Sequence, residues 1–366
     1  MHSRDATRWG KRVKDIKGYN KMALPLKSSK FKIALGGLTV AAIAAACGST
    51  SASTSTTASS SSSSSSGKIT IAFNMGAEAD PFFISMNLGA SAEAKKLGVN
   101  LIWQGDPSVY SPATQIPIVN QLLALHPSAL IIAPTDPTAL QASVDQANSM
   151  GIPVFNVDTH VADMSKVVSF ITGDNTQGGQ AAADAMAKAI NYQPGKTYQV
   201  VVGMSSPTAT TNTARLAGFE AELKAKYPGM QVVSTAYSQS QAAVANTNVN
   251  NWLTQYPNLA GIFAIDGTNA SGASAALEAH NLVGKVALVG YDAYSTNVDL
   301  LSKGVFTALI AQNPAEEGAM SVENAVKYIK QGKSAAGIPK QIILPNIVLT
   351  AQTPAAELAK YTYATA

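Results

Sequence analysis

Cysteine is almost missing from this chain: Cys47 is the only one in 366 residues, which excludes an intrachain disulfide framework and a cysteine-built metal site. Histidine is nearly as scarce. His2, His126, His160 and His280 show no HxH or HxxxH spacing, so they suggest no metal site, and His160, the one near a strand end, reads as a solvated loop residue. No GxGxxG follows a strand-like run, no P-loop pattern GxxxxGK occurs, and Gly203-Met204-Ser205-Ser206-Pro207 lacks the closing glycine of a nucleophile elbow. The common dinucleotide, nucleotide and serine-hydrolase chemistries are therefore unsupported. We expect no enzyme activity, no catalytic residue, no cofactor and no metal.

Long apolar runs are lacking too. The uncharged stretch 33–46 has fourteen residues, too few to span a bilayer comfortably. Excess charge is confined to one end: ten Lys/Arg against two acids lie in residues 1–32, and the remainder holds sixteen basic and twenty acidic residues, net −4. A mildly acidic body argues against nucleic acid as a partner, whose footprint would be a basic face.

What is present at the front is the plan of a secretory signal: basic residues, the apolar stretch, then Ala-Ala-Ala-Cys ending at Cys47. The last four resemble a bacterial lipobox, with Ala44 where leucine is usual. That resemblance implies lipidation of Cys47 and a membrane anchor on an exported chain. Cleavage at another alanine, with Cys47 incidental, is the plainer alternative. Met22 offers a second start, leaving Lys27, Lys30 and Lys32 as an ordinary n-region. Residues 1–47 are thus read as signal and 48–67 as a Ser/Thr-rich tether, which cannot bury a core and reaches about 25 Å by the square-root law for flexible chains.

The folded part begins with a βαβ unit. Residues 69–73 have strand character, Asp80-Pro81 supplies an N-cap and a proline at the first helical position, and Phe83, Met86, Ala90, Ala94 and Leu97 recur as one buried stripe. Phe82 falls off that stripe, beside the loop. Strand-like runs follow at 100–104, 129–133, 154–157, 167–172, 199–202, 231–236, 261–264, 287–290 and 308–311. Amphipathic segments intervene at 113–124, 140–150, 180–190, 212–226, 242–255 and 314–330. Such alternation predicts α/β architecture with parallel sheets. The strand count exceeds one ordinary sheet, so two doubly wound lobes are expected.

Polar residues recur at the ends of these runs. Asp80, Asp158, Asp266, Asp292 and Gln312 each follow a strand, Arg215 opens Arg-Leu-Ala-Gly-Phe, and Phe82 and Phe83 adjoin Asp80. Carboxylates accept hydroxyl pairs, Arg and Gln supply directed donors, and aromatic rings cover the apolar face of a sugar. Each residue also has a structural reading: Asp80 as a helix cap, Asp266 and Asp292 as loop caps, the phenylalanines as core.

The blocks DPFF, VFNVD, GDNTQGGQ, ARLAGF, IFAIDGTNASGASAAL, VGYDA and ALIAQNP, in this order across 68–352, resemble those of type I periplasmic sugar-binding proteins of the ribose and galactose group. The resemblance implies two Rossmann-like lobes joined by three crossover segments, near Asp174, Gln312-Asn313 and Ile342. Lobe one would hold 68–173 and 313–342, and lobe two 174–312 and 343–366. It further implies a monosaccharide or polyol held by Asp80, Phe82, Phe83, Asp158, Arg215, Asp266, Asp292 and Gln312, a monomer, and delivery to an ABC permease and its ATPase. Ribose-type members have Asp-Arg at Asp158-Thr159, Asn at Asp80 and Asp266, Asn at Ala133, and a second-lobe aromatic near Ser240-Gln241. These departures point to a pocket retuned away from ribose. A sensor subunit for a signalling receptor remains an alternative. A transcription regulator built on the same body would need a helix-turn-helix where the signal and serine run stand.

Overall fold

The apolar runs become parallel strands covered by helices on both faces, and a strand with no solvent side need not alternate in polarity. The computed structural model describes residues 68–364. The signal, Cys47 and the tether lie outside the described residues. One six-stranded sheet contains β1 (Thr70–Ala77), β2 (Asn100–Asp106), β3 (Ala129–Ile132), β4 (Val154–Val157), β5 (Ser169–Gly173) and β11 (Gln341–Leu344), in the order β11-β5-β4-β3-β1-β2. All its pairings are parallel. The other contains β6 (Tyr198–Met204), β7 (Met230–Tyr237), β8 (Leu259–Ala264), β9 (Ala287–Tyr291), β10 (Ala308–Ala311) and β12 (Ile347–Leu349), in the order β12-β10-β9-β8-β6-β7. There β12 alone is antiparallel to its neighbour.

The two sheets repeat one topology. Strand order reverses between β1 and β3 and again between β6 and β8, which opens a crevice at the carboxyl ends of each set of strands, the usual ligand position in open α/β sheets. In the first lobe, alternate residues of the strands split between two cores. Ile71, Phe73, Ile131 and Phe155 face α1 (Pro81–Leu97) and α9 (Pro314–Lys330), whereas Ala72, Leu130, Ile132 and Val154 face α2 (Pro112–Ala124) and α3 (Gln141–Ser149). The second lobe does the same with α4 (Asn175–Ala189) and α5 (Thr210–Lys226) on one side. On its other side lie α6 (Ala242–Gln255), α7 (Gly267–Ala279) and α8 (Ser295–Ser302). A last helix, α10 (Ala355–Tyr361), follows β12.

Two helix pairs meet at backbone distance, and glycine permits both. A Cβ on Gly89 of α1 would lie 1.8 Å from the Ala315 carbonyl oxygen of α9, and one on Gly179 of α4 would lie 2.0 Å from the Arg215 carbonyl oxygen of α5. The second contact seats the helix that carries Arg215 directly against the first crossing between lobes.

The chain passes between sheets three times. Gly173 ends β5 and Asp174 caps α4, Gln312 leaves β10 for Asn313 and α9, and Leu344 leaves β11 for β12. The third crossing is at Pro345-Asn346, beyond the expected Ile342, because Ile343 and Leu344 still pair with Thr172 and Gly173 of the first sheet. The crossings converge: a Cβ on Gly173 would meet Asn346 Oδ1 at 3.0 Å and Gln312 Oε1 at 3.1 Å. Asn346 Nδ2 ties them further by donating to the Asp174 carbonyl and to the Tyr291 hydroxyl, each at 2.7 Å.

Candidate functional site

The site is assembled from strand ends that face one another across the crevice. Asp80, Phe82, Phe83 and Asp158 of the first lobe, Arg215, Asp266 and Asp292 of the second, and Gln312 at the crossing all line one cavity. The cavity is closed over by bonds between lobes. The Tyr110 amide donates to the Gln239 carbonyl at 3.4 Å, the His160 amide to Thr210 Oγ1 at 3.2 Å, and the Tyr294 hydroxyl to Asp80 Oδ1.

Asp158 and Asp292 occupy equivalent places. Each follows the fourth strand of its lobe, each has a left-handed backbone (φ 60° and 68°), and each amide donates to the neighbouring strand, to Ile171 and Ile310, at 2.8 Å. Positive φ is uncommon for a side chain other than glycine and tends to mark functional turns. Both carboxylates are buried, and Arg215 lies between them in charge terms. Burial raises the pKa of each, the Arg215 guanidinium opposes that rise, and nearby acids add to it, Asp292 at Asp158 and Asp266 at Asp292.

Arg215 is held rather than mobile. Its Nε donates to Asn175 Oδ1 at 2.8 Å, Nη1 donates to the Ile265 carbonyl at 2.9 Å, and the guanidinium carbon sits 3.8 Å from the centroid of the Tyr291 ring. Asp292 is held equally well: Oδ1 accepts from Gln312 Nε2 at 2.7 Å and from the Tyr363 hydroxyl at 3.0 Å, and Oδ2 accepts from the Gly267 amide at 2.9 Å. Buried polar side chains whose hydrogen bonds are satisfied in this way can keep a fixed geometry for a ligand.

Asp80 and Asp266 act as caps as well as cavity walls. Asp80 Oδ1 accepts from the Phe82 amide at 2.9 Å and starts α1 at Pro81, as the Asp-Pro pair predicts. Burial pushes the Asp80 carboxyl up to about 7, the Tyr294 hydrogen bond working against this and Asp292 adding to it. Asp266 caps α7 and is saturated. Oδ1 accepts from Thr268 Oγ1, the Asn269 amide and Asn269 Nδ2, and Oδ2 from Ser205 Oγ at 2.7 Å and from Asn269 Nδ2. Little of Asp266 is left to accept a hydroxyl pair. Its effect on the cavity runs through Ser205, whose Oγ also accepts from Ser240 Oγ at 3.0 Å. Phe82 and Phe83 form one apolar wall, with ring centroids 5.2 Å apart and planes at 82°.

Five cavity residues were not anticipated: Tyr110, Ser205, Thr211, Asn212 and, as a positive contact, Ser240. Thr211 and Asn212 precede Arg215 by one turn of α5, a spacing that could have flagged them. Tyr110 and the serines lie in irregular loops with no periodic signal. Beneath the cavity, Glu317 is fully buried with no hydrogen bond to either oxygen among the described residues, and burial, reinforced by Asp158, keeps it protonated. Among the described residues no cluster of three or more His, Cys, Asp or Glu could hold a metal ion, and no helix is long and apolar enough to cross a membrane.

The model of the family described as periplasmic binding protein domain matches residues 71–334. The ribose import binding protein of Escherichia coli is 32% identical over 279 residues, covering 76% of this chain and 90% of that protein. A solute-binding protein of an Agrobacterium vitis ABC transporter, solved with alpha-D-tagatopyranose, superposes with a TM-score of 0.74 at 32% identity, covering 81% of this chain and all of that one. A carbohydrate-transporter solute-binding protein from Agrobacterium radiobacter, solved with D-arabinose, gives 0.75 at 28% identity, covering 80% of this chain and 98% of that one.

The raised carboxyls have a consequence for stability. In the unfolded chain an aspartate ionises near pH 4, while in the folded domain Asp80 and Asp158 hold their protons well above that, Asp80 to about 7. Between those values the folded state binds protons that the unfolded state has released, so stability falls as pH rises through the window. Asp106 and Asp136, where slight burial is outweighed by N–H donors, shift downward and titrate below it. The sugar-free domain is therefore expected to melt higher at pH 5 than at pH 7.5, with stability falling on the order of 1 kcal/mol per pH unit for a buried group such as Asp158. Thermal denaturation across this range is the check. Asp158→Asn should flatten the profile, and an unchanged slope would mean the carboxyl ionises at its ordinary pH.

Proposed function

The chain belongs to the type I periplasmic sugar-binding proteins, and on that premise we propose that it captures a neutral monosaccharide or related polyol between its lobes and delivers it to an ABC importer. The observation that carries this reading is the convergence of acids from both lobes, one fixed guanidinium and a phenylalanine pair on a single cavity at the carboxyl ends of the strands. The sugars bound by the Agrobacterium proteins support it. In this reading Asp158 and Asp292 accept ligand hydroxyls, Arg215 and Gln312 donate, Phe82 and Phe83 cover the ring, Asp80 adds a further acceptor, and Asp266, itself saturated, acts through Ser205.

Ligand stabilises the closed arrangement because it touches both lobes at once, and a permease with its ATPase reads that closed form. No catalytic step is invoked, and the protein acts as a monomer without nucleic acid. The front of the chain completes the proposal: export through the signal, lipid on Cys47, and a serine tether that keeps the body near the membrane without fixing its orientation.

Charge selects the ligand class. Burial first, and neighbouring acids second, push the carboxyls of Asp80, Asp158 and Asp292 upward, and the same two causes oppose a further negative charge here. An anionic sugar would add repulsion to its own desolvation. A neutral polyol instead gives its hydroxyl protons to the carboxylates in charge-assisted bonds worth about 1.5 to 3 kcal/mol each.

Neutral sugars or alditols should accordingly stabilise the domain on heating, by about 2.7 kcal/mol at a hundredfold excess over Kd, while uronic acids and sugar phosphates should not. A thermal-shift screen of residues 67–366 decides the point. Saturable micromolar binding of an anionic sugar, with every neutral compound silent, would contradict it. For the anchor, Cys47→Ala in the exported full-length chain should release the protein from the membrane fraction, since two or more acyl chains hold firmly and none remain. Equal membrane fractionation of variant and parent would remove the lipoprotein reading.

A further inference from the structure

We propose that Tyr294 is a specificity-determining residue that spans the cleft, withdrawing one oxygen of Asp80 from the ligand. This inference rests on the sugar-binding reading of the cavity. Tyr294 caps α8, two residues after Asp292, and is 5% exposed. Its hydroxyl donates to Asp80 Oδ1 on the opposite lobe. The Phe82 amide donates to that same oxygen, so both protein bonds fall on Oδ1, and Oδ2 remains for a ligand hydroxyl.

The placement of the ring is built into the fold. A Cβ at position 267 would lie 2.1 Å from Tyr294 Cζ, so the ring occupies space that glycine leaves at the start of α7. Tyr363, from beyond α10, flanks it with ring centroids 6.0 Å apart and in turn approaches the Phe82 ring at 6.1 Å. An aromatic row thus runs from the first lobe to the second beside the cavity, and Tyr363 also bonds Asp292 and the Gln312 amide.

Two consequences follow for the ligand. With Oδ1 taken, Asp80 accepts one hydroxyl and not a vicinal pair, so the position it reads must carry a single donor. The bond also joins residues of different lobes, so it exists only when the lobes are closed, and it favours closure before sugar arrives.

Tyr294→Phe removes the hydroxyl and keeps the ring on Gly267. Without sugar, small-angle X-ray scattering of the variant should report a larger radius of gyration than the parent. Calorimetry with D-ribose, D-arabinose, D-tagatose, D-allose and 2-deoxy-D-ribose should show affinities that change unequally, the ratio between fully hydroxylated and deoxy sugar shifting about tenfold toward the hydroxylated one as Oδ1 becomes available. Gly267→Ala, which must push the ring aside, should move the scattering in the same direction. Unchanged scattering in both variants overturns the proposal, and so does a uniform change of affinity across the panel, which would make Tyr294 a packing residue. If the parent binds no sugar at all, the sugar-binding reading fails, and the scattering still decides whether Tyr294 holds the lobes together.

Discussion

A single guanidinium among buried acids sets the terms for the rest of this molecule. Asp158 of the first lobe and Asp292 of the second both feel the charge of Arg215, which opposes the cost of burying them. Everything around the arginine serves to hold it: Asn175 at the first crossing, the Ile265 carbonyl at the end of β8, and the face of Tyr291 at the end of β9. The close packing of α4 on α5 through Gly179 presses its helix against that crossing. Packing, electrostatics and hinge geometry therefore meet at one side chain: a change in lobe angle changes the separation of Asp158 from Arg215, while Asp292 moves with the arginine.

The repetition of one topology explains why the acids come as a pair. Each sheet reverses its order once, each fourth strand ends in an aspartate with left-handed backbone, and each of those aspartates bonds its amide to the adjacent strand. The fold thus places two copies of one strand-end device on the two sides of one cavity. The crossings then decide how the copies meet. Gln312 belongs to a crossing and to the site at once, since its side-chain amide donates to Asp292 while its backbone amide donates to Tyr363. Closure and recognition are thereby parts of the same network.

Much of this was legible in the sequence, and the remainder was hidden for physical reasons. Strand runs such as 154–157 and 308–311 and helices such as 242–255 and 314–330 are bounded by caps and turns, and they match the observed elements. Asp80, Asp158, Asp266, Asp292 and Gln312 are legible as cavity-lining candidates because they follow strands, where open α/β sheets bind ligands, and Phe82, Phe83 and Arg215 line the same cavity from α1 and α5. The cap roles of Asp80 and Asp266 were legible too, but not how much of each carboxylate the protein itself occupies. Whether a carboxylate is free or saturated depends on partners such as Tyr294, 214 positions from Asp80, and Ser205, 61 from Asp266. Tyr294 and Tyr363 reach the site through the tertiary fold, and their positions in helix-flanking segments carry no local signal. The third crossing was misplaced because β11 pairs past Ile342 on an edge with mixed exposure, where burial gives no clear stop.

Calorimetry on Asp158→Ala and Asp292→Ala, with the sugar that most stabilises the parent, tests most directly the claim that two lobes hold one ligand through paired acids around Arg215. Each substitution leaves a partner buried and unpaired, at about 2 to 5 kcal/mol. The account therefore expects affinity to drop roughly thirtyfold to several-thousandfold in both variants. Parent-like affinity in both, with the fold intact by circular dichroism, would show that the two aspartates only shape their turns and would contradict the account.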